Sequence, residues 1–534
     1  MKILTLKRFL PDWKNALLAV LSAALLILSF PDWEFSYLAW FALVPLLGAI
    51  GRERESPAKS FIVGWLFGTI FFFGTCWWLT FAPITYAGFP PALAYFLMLF
   101  VSAAAGFFPA LFAAILSILL KRFGTIAILC APFVWVLTEF LRHWLTGNTW
   151  NAIAYSQAFV NNLLATSQTA SIGGIYLTGF LVCQFNVLII VILYSIVPRL
   201  SPLDSRFRNE NPAKNAVFAI LITAIFLVPA MFFPAAQSKH DEQDSAIVVG
   251  IQPNVPMAGL NNEKWKHLRQ KHVELAEFAL RKLPTQNRPR TTVIFPESPM
   301  NFAYDEDEEF QRFVHGFAAK HDIHVLFNSA EPDMANNKYF NSAVLVDPQG
   351  KEIAQYDKIY LVPFAEFVPA PLEGVVPALV GSFSYGSEYD LMPIGDAKAG
   401  IMICFESHFG QLSRQFVQDG ADVLIEMTND GYLGQTPVLR QHLASAVFRA
   451  IETNRPLLRV TNVGITAYID ERGQIIDPAA NYTEDTRIWS VSKSNGSQTF
   501  YVRFGDWFAW LCSVITLASL ILSVCSRQIK LNEG

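Results

Sequence analysis

Long uncharged stretches near both ends of the chain constrain its fold more than any other feature of the sequence. They are concentrated in residues 1–235 and 507–525, whereas residues 238–503 have the composition of an ordinary soluble domain. Of the 534 residues, 53% are hydrophobic and only 16% are charged, which is too apolar for a chain that is soluble throughout. The sequence therefore predicts a membrane anchor with a soluble domain inserted near its C-terminal end.

Eight apolar segments are candidates for membrane helices. A helix needs about 20 residues to cross the hydrocarbon core, so the first two segments are short for a full crossing. A cleaved signal peptide is an alternative for the first one, but bulky Phe30, Pro31 and Trp33 follow it where small residues would be needed. We therefore expect the first helix to be retained. The eight segments are 16–30, 37–50, 61–80, 91–120, 124–141, 172–197, 216–233 and 507–525.

The basic residues provide an independent indication of topology. If the N-terminus is cytoplasmic and all eight segments cross, the basic clusters fall on the cytoplasmic side, as the positive-inside rule requires. The opposite loops are almost bare, with Arg142 and Lys239 near the boundary. The cytoplasmic residues would be Lys2, Lys7, Arg8, Lys14, Arg52, Arg54, Lys59, Lys121, Arg122, Arg199, Arg206, Arg208, Lys214, Arg527 and Lys530.

This topology predicts three parts of the chain. Residues 1–237 form a membrane domain of about seven helices, with a linker at 234–244. Residues 238–503 form a domain that faces the periplasm if the cell is Gram-negative, and residues 504–534 form a last membrane helix with a short cytoplasmic tail.

Within the soluble domain, short apolar runs alternate with amphipathic stretches. This alternation predicts a layered α/β domain with its helices outside the sheets. Gly350 and Gly473 lie in turn-forming sequences and are predicted at the tips of two hairpins. Strands are predicted at 246–251, 292–295, 324–327, 341–346, 400–404, 423–427, 457–461 and 464–469, and helices at 262–281, 308–321 and 439–453.

Three chemically distinctive residues follow apolar runs in this domain: Glu297, Lys358 and Cys404. Catalytic residues of an open α/β sheet gather at the carboxyl ends of its strands. A carboxylate can take the proton of a thiol, the thiolate can attack an acyl carbon, and an ammonium can stabilise the resulting oxyanion. Taken singly, each residue has a structural alternative as a core cysteine, a surface carboxylate or a solvated lysine. Their combination predicts an acyl-transfer site.

Cys404 has no other cysteine between residues 199 and 511 with which to form a disulfide. An unpaired thiol in an exported domain is therefore there for packing or for reactivity. The other five cysteines lie in apolar segments and are expected to be small buried hydrophobes. Their spacing predicts no metal site, and the net charge of −4 gives no reason to expect nucleic acid as a partner.

The sequence blocks around these three residues resemble the catalytic blocks of the nitrilase superfamily. In that superfamily the glutamate, lysine and cysteine are general base, stabilising cation and nucleophile on an αββα sandwich. The resemblance implies a catalytic role for Glu297, Lys358 and Cys404, and a supporting role for Glu366 and Glu406, for which a structural ion pair is the alternative. The blocks are Phe295-Pro296-Glu297, Asp357-Lys358-Ile359-Tyr360, Pro363-Phe364-Ala365-Glu366 and Ile403-Cys404-Phe405-Glu406.

The combination with membrane segments on both sides is similar to the apolipoprotein N-acyltransferase family. Further blocks that carry this similarity are Glu139-Phe140-Leu141-Arg142, Tyr155-Ser156-Gln157, Gly173-Gly174-Ile175-Tyr176, Thr428-Asn429-Asp430 and the segment from Arg455 to Asn462. The resemblance implies an α-helical multi-span membrane domain joined to a nitrilase-like αββα sandwich. It also implies an inner-membrane enzyme that acts without a metal or other cofactor.

The reaction that the resemblance implies joins two membrane substrates. A fatty acyl chain passes from a phospholipid, through a thioester on Cys404, to the α-amine of the diacylglyceryl-cysteine at the N-terminus of an apolipoprotein. We expect the chain to do this as a monomer.

Two other functions stay open on the residues alone. A membrane-tethered nitrilase-type amidase would use the same three residues with water as the acceptor. A transporter or receptor would use its exported domain only to bind a ligand and would not need the Cys404 thiol. The apolar stretch 370–385 is either a lid over that thiol or an ordinary buried loop.

Overall fold

The computed structural model describes residues 10–160, 166–196, 212–232, 246–258, 262–284, 290–297, 303–369 and 381–532. The predicted linker at 234–244, residues 370–380 of the candidate lid and the basic residues at 2–8 and 199–208 lie outside these ranges. The chain divides into two compact units. One comprises Met1–Pro234 with Phe504–Gly534, and the other comprises Ala235–Arg503.

The first unit is helical. Among its described residues, four helical stretches are long and apolar enough to cross a membrane, namely Pro57–Thr85, Pro91–Thr146, Thr166–Ile196 and Trp507–Cys525. Its α-helices are Trp13–Leu28, Ala39–Ala42, Val44–Arg52, Pro57–Cys76, Phe81–Thr85, Pro91–Ala105, Phe107–Phe123, Ala131–Thr146, Ala170–Ile196, Pro212–Phe232 and Trp507–Asn532. The predicted segments 91–120 and 124–141 both lie in Pro91–Thr146, where the short 3₁₀ helix Gly124–Cys130 joins two helices that pack on each other. The crossing of all eight segments stays a prediction.

Small residues allow helix Pro57–Cys76 to approach the junction between helices Pro91–Ala105 and Phe107–Phe123 closely. A Cβ atom added to Gly68 would lie 2.8 Å from the Cα atom of Gly106, and one added to Gly106 would lie 2.8 Å from Oγ1 of Thr69. Membrane helices pack on one another largely through such small-residue contacts, because hydrophobic burial does not drive their association in lipid.

The described residues of the second unit form two mixed β-sheets. Their strands are β1 Ala246–Gln252, β2 Thr291–Ile294, β3 His324–Asp333, β4 Lys338–Val346, β5 Glu352–Asp357, β6 Phe383–Ser384, β7 Leu391–Ile394, β8 Ala397–Ile403, β9 Val423–Thr428, β10 Leu457–Thr461, β11 Ala467–Ile469, β12 Ile475–Ile476 and β13 Asp485–Val491. The first sheet has the order β13-β1-β2-β3-β4-β5, with β6 paired to β4, and the second has the order β12-β11-β10-β9-β8-β7.

Helices cover the outer faces of these sheets, and the inner faces pack on each other. Helices Asn262–Leu280 and Glu308–His321 bury apolar side chains against the first sheet. Helices Gly410–Gln418 and Val438–Thr453 pack against the second sheet. Between the sheets, a Cβ atom added to Gly250 of β1 would lie 3.1 Å from Cγ2 of Val460 in β10, so the glycine permits close contact there. The predicted αββα sandwich is confirmed, as is the helical region with long apolar helices.

The hairpin predictions are confirmed at both glycines. Gly350 lies between β4 and β5 with φ of 78°, and Gly473 lies between β11 and β12 with φ of 77°. These left-handed conformations favour glycine because a Cβ atom would clash with the backbone. The turns are closed in the same way, since Oδ1 of Asp347 accepts from Lys351 N and Oδ1 of Asp470 accepts from Gln474 N.

The predicted strands of this unit are all present, but their ends differ. The difference that matters most for the candidate site is in the strand predicted at 400–404. This strand ends one residue early, at Ile403, and Cys404 begins a 3₁₀ turn. Strands β5, β6, β7, β12 and β13 and helix Gly410–Gln418 were not predicted. Most of these strands are short or half exposed, so they lack the continuous apolar run that reveals a buried strand.

Candidate active site

The ends of three strands bring the predicted residues together. Glu297 and Lys358 follow β2 and β5 of the first sheet, and Cys404 follows β8 of the second sheet. The side chain of Glu297 hydrogen bonds to the Cys404 thiol and lies beside the ammonium of Lys358. Glu297 and Cys404 are 107 positions apart in sequence, and they meet where the two sheets of the sandwich face each other.

Cys404 occupies a sharp bend at the end of β8. Its φ of 53° lies in the left-handed region, which a non-glycine residue enters at a cost of about 1–3 kcal/mol. Besides its bond to Glu297, the thiol hydrogen bonds to the side chain of Thr428. The bend turns the thiol out of the strand and toward the other sheet. Backbone strain of this kind is common where a side chain must be presented for chemistry.

Lys358 is fully buried between two carboxylates. Its Nζ atom lies 2.8 Å from Oε1 of Glu366 and 3.7 Å from Oε1 of Glu297. Burial disfavours the ammonium form, but Glu366 and Glu297 outweigh this effect and raise the pKa of Lys358. The lysine is therefore a permanent cation at physiological pH.

Glu297 is held by two further donors. Asn341 Nδ2 donates to its Oε1 atom at 3.2 Å, and the backbone N–H of Asn429 donates to its Oε2 atom at 3.1 Å. Burial raises the pKa of Glu297, and the negative charge of Glu366 raises it further, while Lys358 acts in the opposite direction. A raised carboxyl pKa makes Glu297 a stronger base than an exposed glutamate.

The Cys404 thiol is protonated in this environment. Burial raises its pKa well above the usual range, and the adjacent charge of Glu297 raises it further, although Lys358 opposes both. A preformed thiolate is thus disfavoured. Proton transfer to Glu297 has to accompany the attack of the sulfur on a substrate.

The two predicted supporting carboxylates hold different parts of the site. Glu366 contacts Lys358 directly and accepts a hydrogen bond from Val362 N at 2.8 Å through its second oxygen. Glu406 holds the backbone that follows Lys358. Oε1 of Glu406 accepts a hydrogen bond from Ile359 N at 2.7 Å. Burial raises the pKa of Glu406 to about 7, against the lowering effect of the N–H groups around it.

Glu406 also ties the cysteine bend to the lysine segment. Its Oε1 atom accepts from the Tyr356 hydroxyl at 2.8 Å and from Tyr360 N at 3.1 Å, and its Oε2 atom accepts from Ile403 N at 2.8 Å. One carboxylate thus bridges the chain segments that precede and follow Lys358 and the residue before Cys404.

Sequence reasoning missed Asn341, which bridges the two carboxylates around the lysine. Its amide nitrogen donates to Glu297 Oε1 at 3.2 Å and to Glu366 Oε1 at 2.8 Å. Asn328 Nδ2 donates to Oδ1 of Asn341 at 2.7 Å and so orients the amide. Both asparagines lie in buried strands, β3 and β4, and an amide inside an apolar strand was the signal that could have found them.

Two family models match this chain. The apolipoprotein N-acyltransferase N-terminal domain matches residues 22–188, and the carbon-nitrogen hydrolase model matches residues 268–499. Apolipoprotein N-acyltransferase of Geobacter metallireducens is 31% identical over 527 residues, which cover 96% of each chain. The chain belongs to the apolipoprotein N-acyltransferase family. Membership makes it an acyltransferase, as predicted, with a catalytic unit of the nitrilase type.

Other members of the apolipoprotein N-acyltransferase family match over a similar length. The protein of that name from Thermotoga maritima is 29% identical, with 97% of this chain and 95% of its own covered. The one from Haemophilus influenzae is 26% identical over 94% of this chain and 93% of its own. Among solved structures, Saccharomyces cerevisiae Nit3, a member of the nitrilase superfamily, has 18% identity and a TM-score of 0.35, with 47% of this chain and 90% of its own covered.

Proposed function

We propose that this enzyme acylates the N-terminus of lipoproteins with a fatty acyl chain taken from a membrane phospholipid, through a thioester on Cys404. The observation that carries the proposal is the contact of the Cys404 thiol with the carboxylate of Glu297, beside the ammonium of Lys358. The name shared by the relatives supports lipoprotein N-termini as the acceptor.

In the first half-reaction, Glu297 takes the Sγ proton of Cys404 while the sulfur attacks the carbonyl carbon of the phospholipid ester. The carbonyl oxygen becomes an oxyanion. Lys358 has three N–H donors and, among the described residues, two carboxylate neighbours, so a further donor can serve that oxyanion. When the tetrahedral intermediate collapses, the ester C–O bond breaks, and Glu297 returns the proton to the leaving oxygen of the lysophospholipid.

In the second half-reaction, the α-amine of the diacylglyceryl-cysteine attacks the carbonyl carbon of the thioester. Glu297 accepts a proton from the attacking nitrogen, and the C–S bond breaks to leave an amide. Cys404 regains its proton from Glu297, which completes the cycle. The same carboxylate serves both halves because it lies within hydrogen-bond reach of the sulfur to which each substrate must come.

We propose further that the catalytic domain, residues 238–503, faces the periplasm and is tethered by membrane segments on both sides, with about seven helices in 1–237 and one in 504–534. The distribution of basic residues supports this topology. Four long apolar helical stretches support a location in the inner membrane. Both proposed substrates are lipids, so a membrane tether shortens their path to Cys404. We expect a monomer, since one chain carries all the proposed catalytic groups.

Intact mass spectrometry of the protein purified from membranes tests the nucleophile and the donor together. We expect a fatty-acyl mass increment on the wild-type chain that is absent from Cys404→Ala. Cys525→Ala, which removes an exposed thiol in the last helix, is the matched control and should keep the increment. Wild-type protein that carries no acyl group after incubation with phospholipid would contradict the proposal.

The membrane-tethered amidase, with water as the acceptor, remains the second candidate because the carbon-nitrogen hydrolase model covers the catalytic unit. Adding a diacylated lipopeptide to the acylated enzyme separates the two candidates. The transferase consumes the adduct and yields an N-acylated peptide. Release of free fatty acid without an acylated peptide would favour the amidase.

A further inference from the structure

Four charged side chains form a buried cluster behind the Cys404 bend. Glu426 lies in β9, Arg459 in β10, Asp430 just after β9, and His442 in helix Val438–Thr453. All four are at most 3% exposed. The mechanism above uses none of them, although their burial is costly unless every charge is paired.

The register of the second sheet pairs the first two members of this cluster. Strands β9 and β10 are parallel, and Arg459 stands directly opposite Glu426. The guanidinium of Arg459 forms an ion pair with Oε2 of Glu426 through Nη1, and its Nη2 atom lies 2.9 Å from Oδ2 of Asp430. One arginine therefore faces two carboxylates, and a second positive charge is needed for balance.

His442 is positioned to supply that charge. Its Nδ1 atom lies 2.7 Å from Oδ1 of Asp430, and its Nε2 atom lies 3.0 Å from Oε1 of Glu426. Nε2 also lies 3.0 Å from the backbone oxygen of Cys404. The Asp430 carboxylate and the Cys404 carbonyl, which bond Nδ1 and Nε2 respectively, only accept hydrogen bonds, so both ring nitrogens have to donate. A neutral imidazole would point a lone pair at an acceptor.

The surroundings of His442 agree with a charged imidazolium. Burial and Arg459 lower its pKa, but Asp430 and Glu426 outweigh them and raise it to about 9. On its other face, His408 stacks on His442 with ring centres 5.1 Å apart. Burial lowers the pKa of His408 well below its usual range, so that ring is neutral. With His442 protonated, the cluster holds two positive and two negative charges.

We infer that His442 is a positioning residue for the acyl transfer: as an imidazolium it holds the carbonyl of Cys404, and with it the strained bend that presents the thiol to Glu297. The inference rests on the proposed role of Cys404 as nucleophile. The cluster also sets the electrostatic background of the thiol. Loss of the imidazolium charge would leave a net negative cluster behind the sulfur, and loss of a carboxylate would leave a net positive one.

Alkylation of Cys404 by iodoacetamide over a range of pH, followed by peptide mass spectrometry on the full-length protein, measures the ionisation of the thiol directly. His442→Gln keeps an N–H donor but removes the charge. We expect its alkylation midpoint to move to higher pH by about one unit, with about tenfold slower alkylation below the midpoint. Glu426→Gln makes the net charge of the cluster positive and should move the alkylation midpoint to lower pH.

The double variant D430N/H442Q restores neutrality, because Arg459 and Glu426 then balance each other. Its midpoint should return toward that of the wild type. His272→Gln is the matched control, since His272 is a buried histidine of the same unit whose Nδ1 atom bonds Leu268 O, away from the cluster. It should leave the alkylation midpoint unchanged. If His442→Gln does not accumulate as folded protein, Glu426→Gln and the double variant still test the sign of the effect.

A wild-type midpoint in His442→Gln, or shifts in the same direction for His442→Gln and Glu426→Gln, would overturn the inference. This outcome is distinct from failure of the proposed function. If the proposed function is wrong, wild-type Cys404 will carry no acyl group from phospholipid, whatever the alkylation profiles of the variants.

Discussion

Lys358 pairs more closely with Glu366 than with Glu297. Its Nζ atom lies 2.8 Å from Oε1 of Glu366 and 3.7 Å from Oε1 of Glu297. The tighter pair neutralises much of the lysine charge without tying up the carboxylate that contacts the thiol. Glu297 thus keeps its basicity, while the ammonium stays close enough to stabilise an oxyanion.

Replacing Glu366 should therefore impair catalysis without touching the sulfur. In Glu366→Gln, Lys358 loses its close partner and is expected to pair with Glu297 instead, which weakens Glu297 as a base. We expect acylation of Cys404 to slow by about ten- to a hundredfold in single-turnover assays with phospholipid. Glu388→Gln, which changes an exposed glutamate, is the control and should acylate at the wild-type rate. An unimpaired Glu366→Gln variant would show that Lys358 does not need this pair.

The acid limb of the pH profile should report Glu297. Its pKa is raised by burial and by the charge of Glu366, and a base acts only when it is unprotonated. The acylation rate should therefore fall as the pH decreases through this raised pKa. The fall should occur at a higher pH than it would for an ordinary glutamate, whose pKa is about 4.3. The measurement is the acylation rate from about pH 5 to pH 8. Glu297→Gln should lose at least about a hundredfold in rate, and a flat profile in the wild type would argue against this base.

Asn341 should influence the pH at which the acid limb of the acylation profile falls. Its amide donates to both Glu297 and Glu366, and the bond to Glu297 stabilises the charged form of that base. In Asn341→Asp a third carboxylate would face the other two, so the pKa of Glu297 should rise further and the acid limb should move to higher pH. Asn337→Asp makes the same chemical change in the exposed turn between β3 and β4 and should have no effect on the limb. Identical profiles for the two variants would mean that Asn341 does not influence the base.

Glu406 should matter for stability as well as for geometry. Its two oxygens accept four hydrogen bonds from the segments around Lys358 and Cys404. The amide of Glu406→Gln would place its own N–H groups against one of these donors. We expect a loss of about 1–3 kcal/mol in unfolding free energy, measured by thermal denaturation, together with slower Cys404 acylation. Glu308→Gln, at a side chain that is 84% exposed, is the control, and equal stability of the two variants would rule out a bridging role for Glu406.

Local sequence patterns accounted for much of the fold. The apolar runs that predicted β1, β2, β9 and β10 are buried strands, and the glycine turns at 350 and 473 are hairpin tips. The amphipathic stretch 308–321 is a helix with the predicted bounds. These features depend on residues within about ten positions of one another, so their period and turn residues are visible in the sequence. The positions of Glu297, Lys358 and Cys404 after apolar runs are visible in the sequence for the same reason.

The bend at Cys404 was not visible in the same way. Nothing in the apolar run 400–403 indicates that the strand stops before the cysteine or that the cysteine adopts a positive φ. Contacts from other parts of the chain offset the cost of that conformation. Among them are the hydrogen bond from Ile403 N to Glu406 and the hydrogen bond from His442 to the Cys404 carbonyl. Such contacts come from tertiary packing, which local periodicity does not encode.

The sequence by itself determined that this chain has membrane-anchoring helices, an inserted α/β unit and a carboxylate, lysine and cysteine at strand ends, because hydropathy and short motifs are local properties. Only the tertiary structure decided which groups surround them. Asn341 reaches two carboxylates, and Arg459 meets Glu426, because strand register and the stacking of two sheets set those distances. The ionisation of Cys404 follows from that packing, since burial and neighbouring charge, rather than the residue itself, set its pKa.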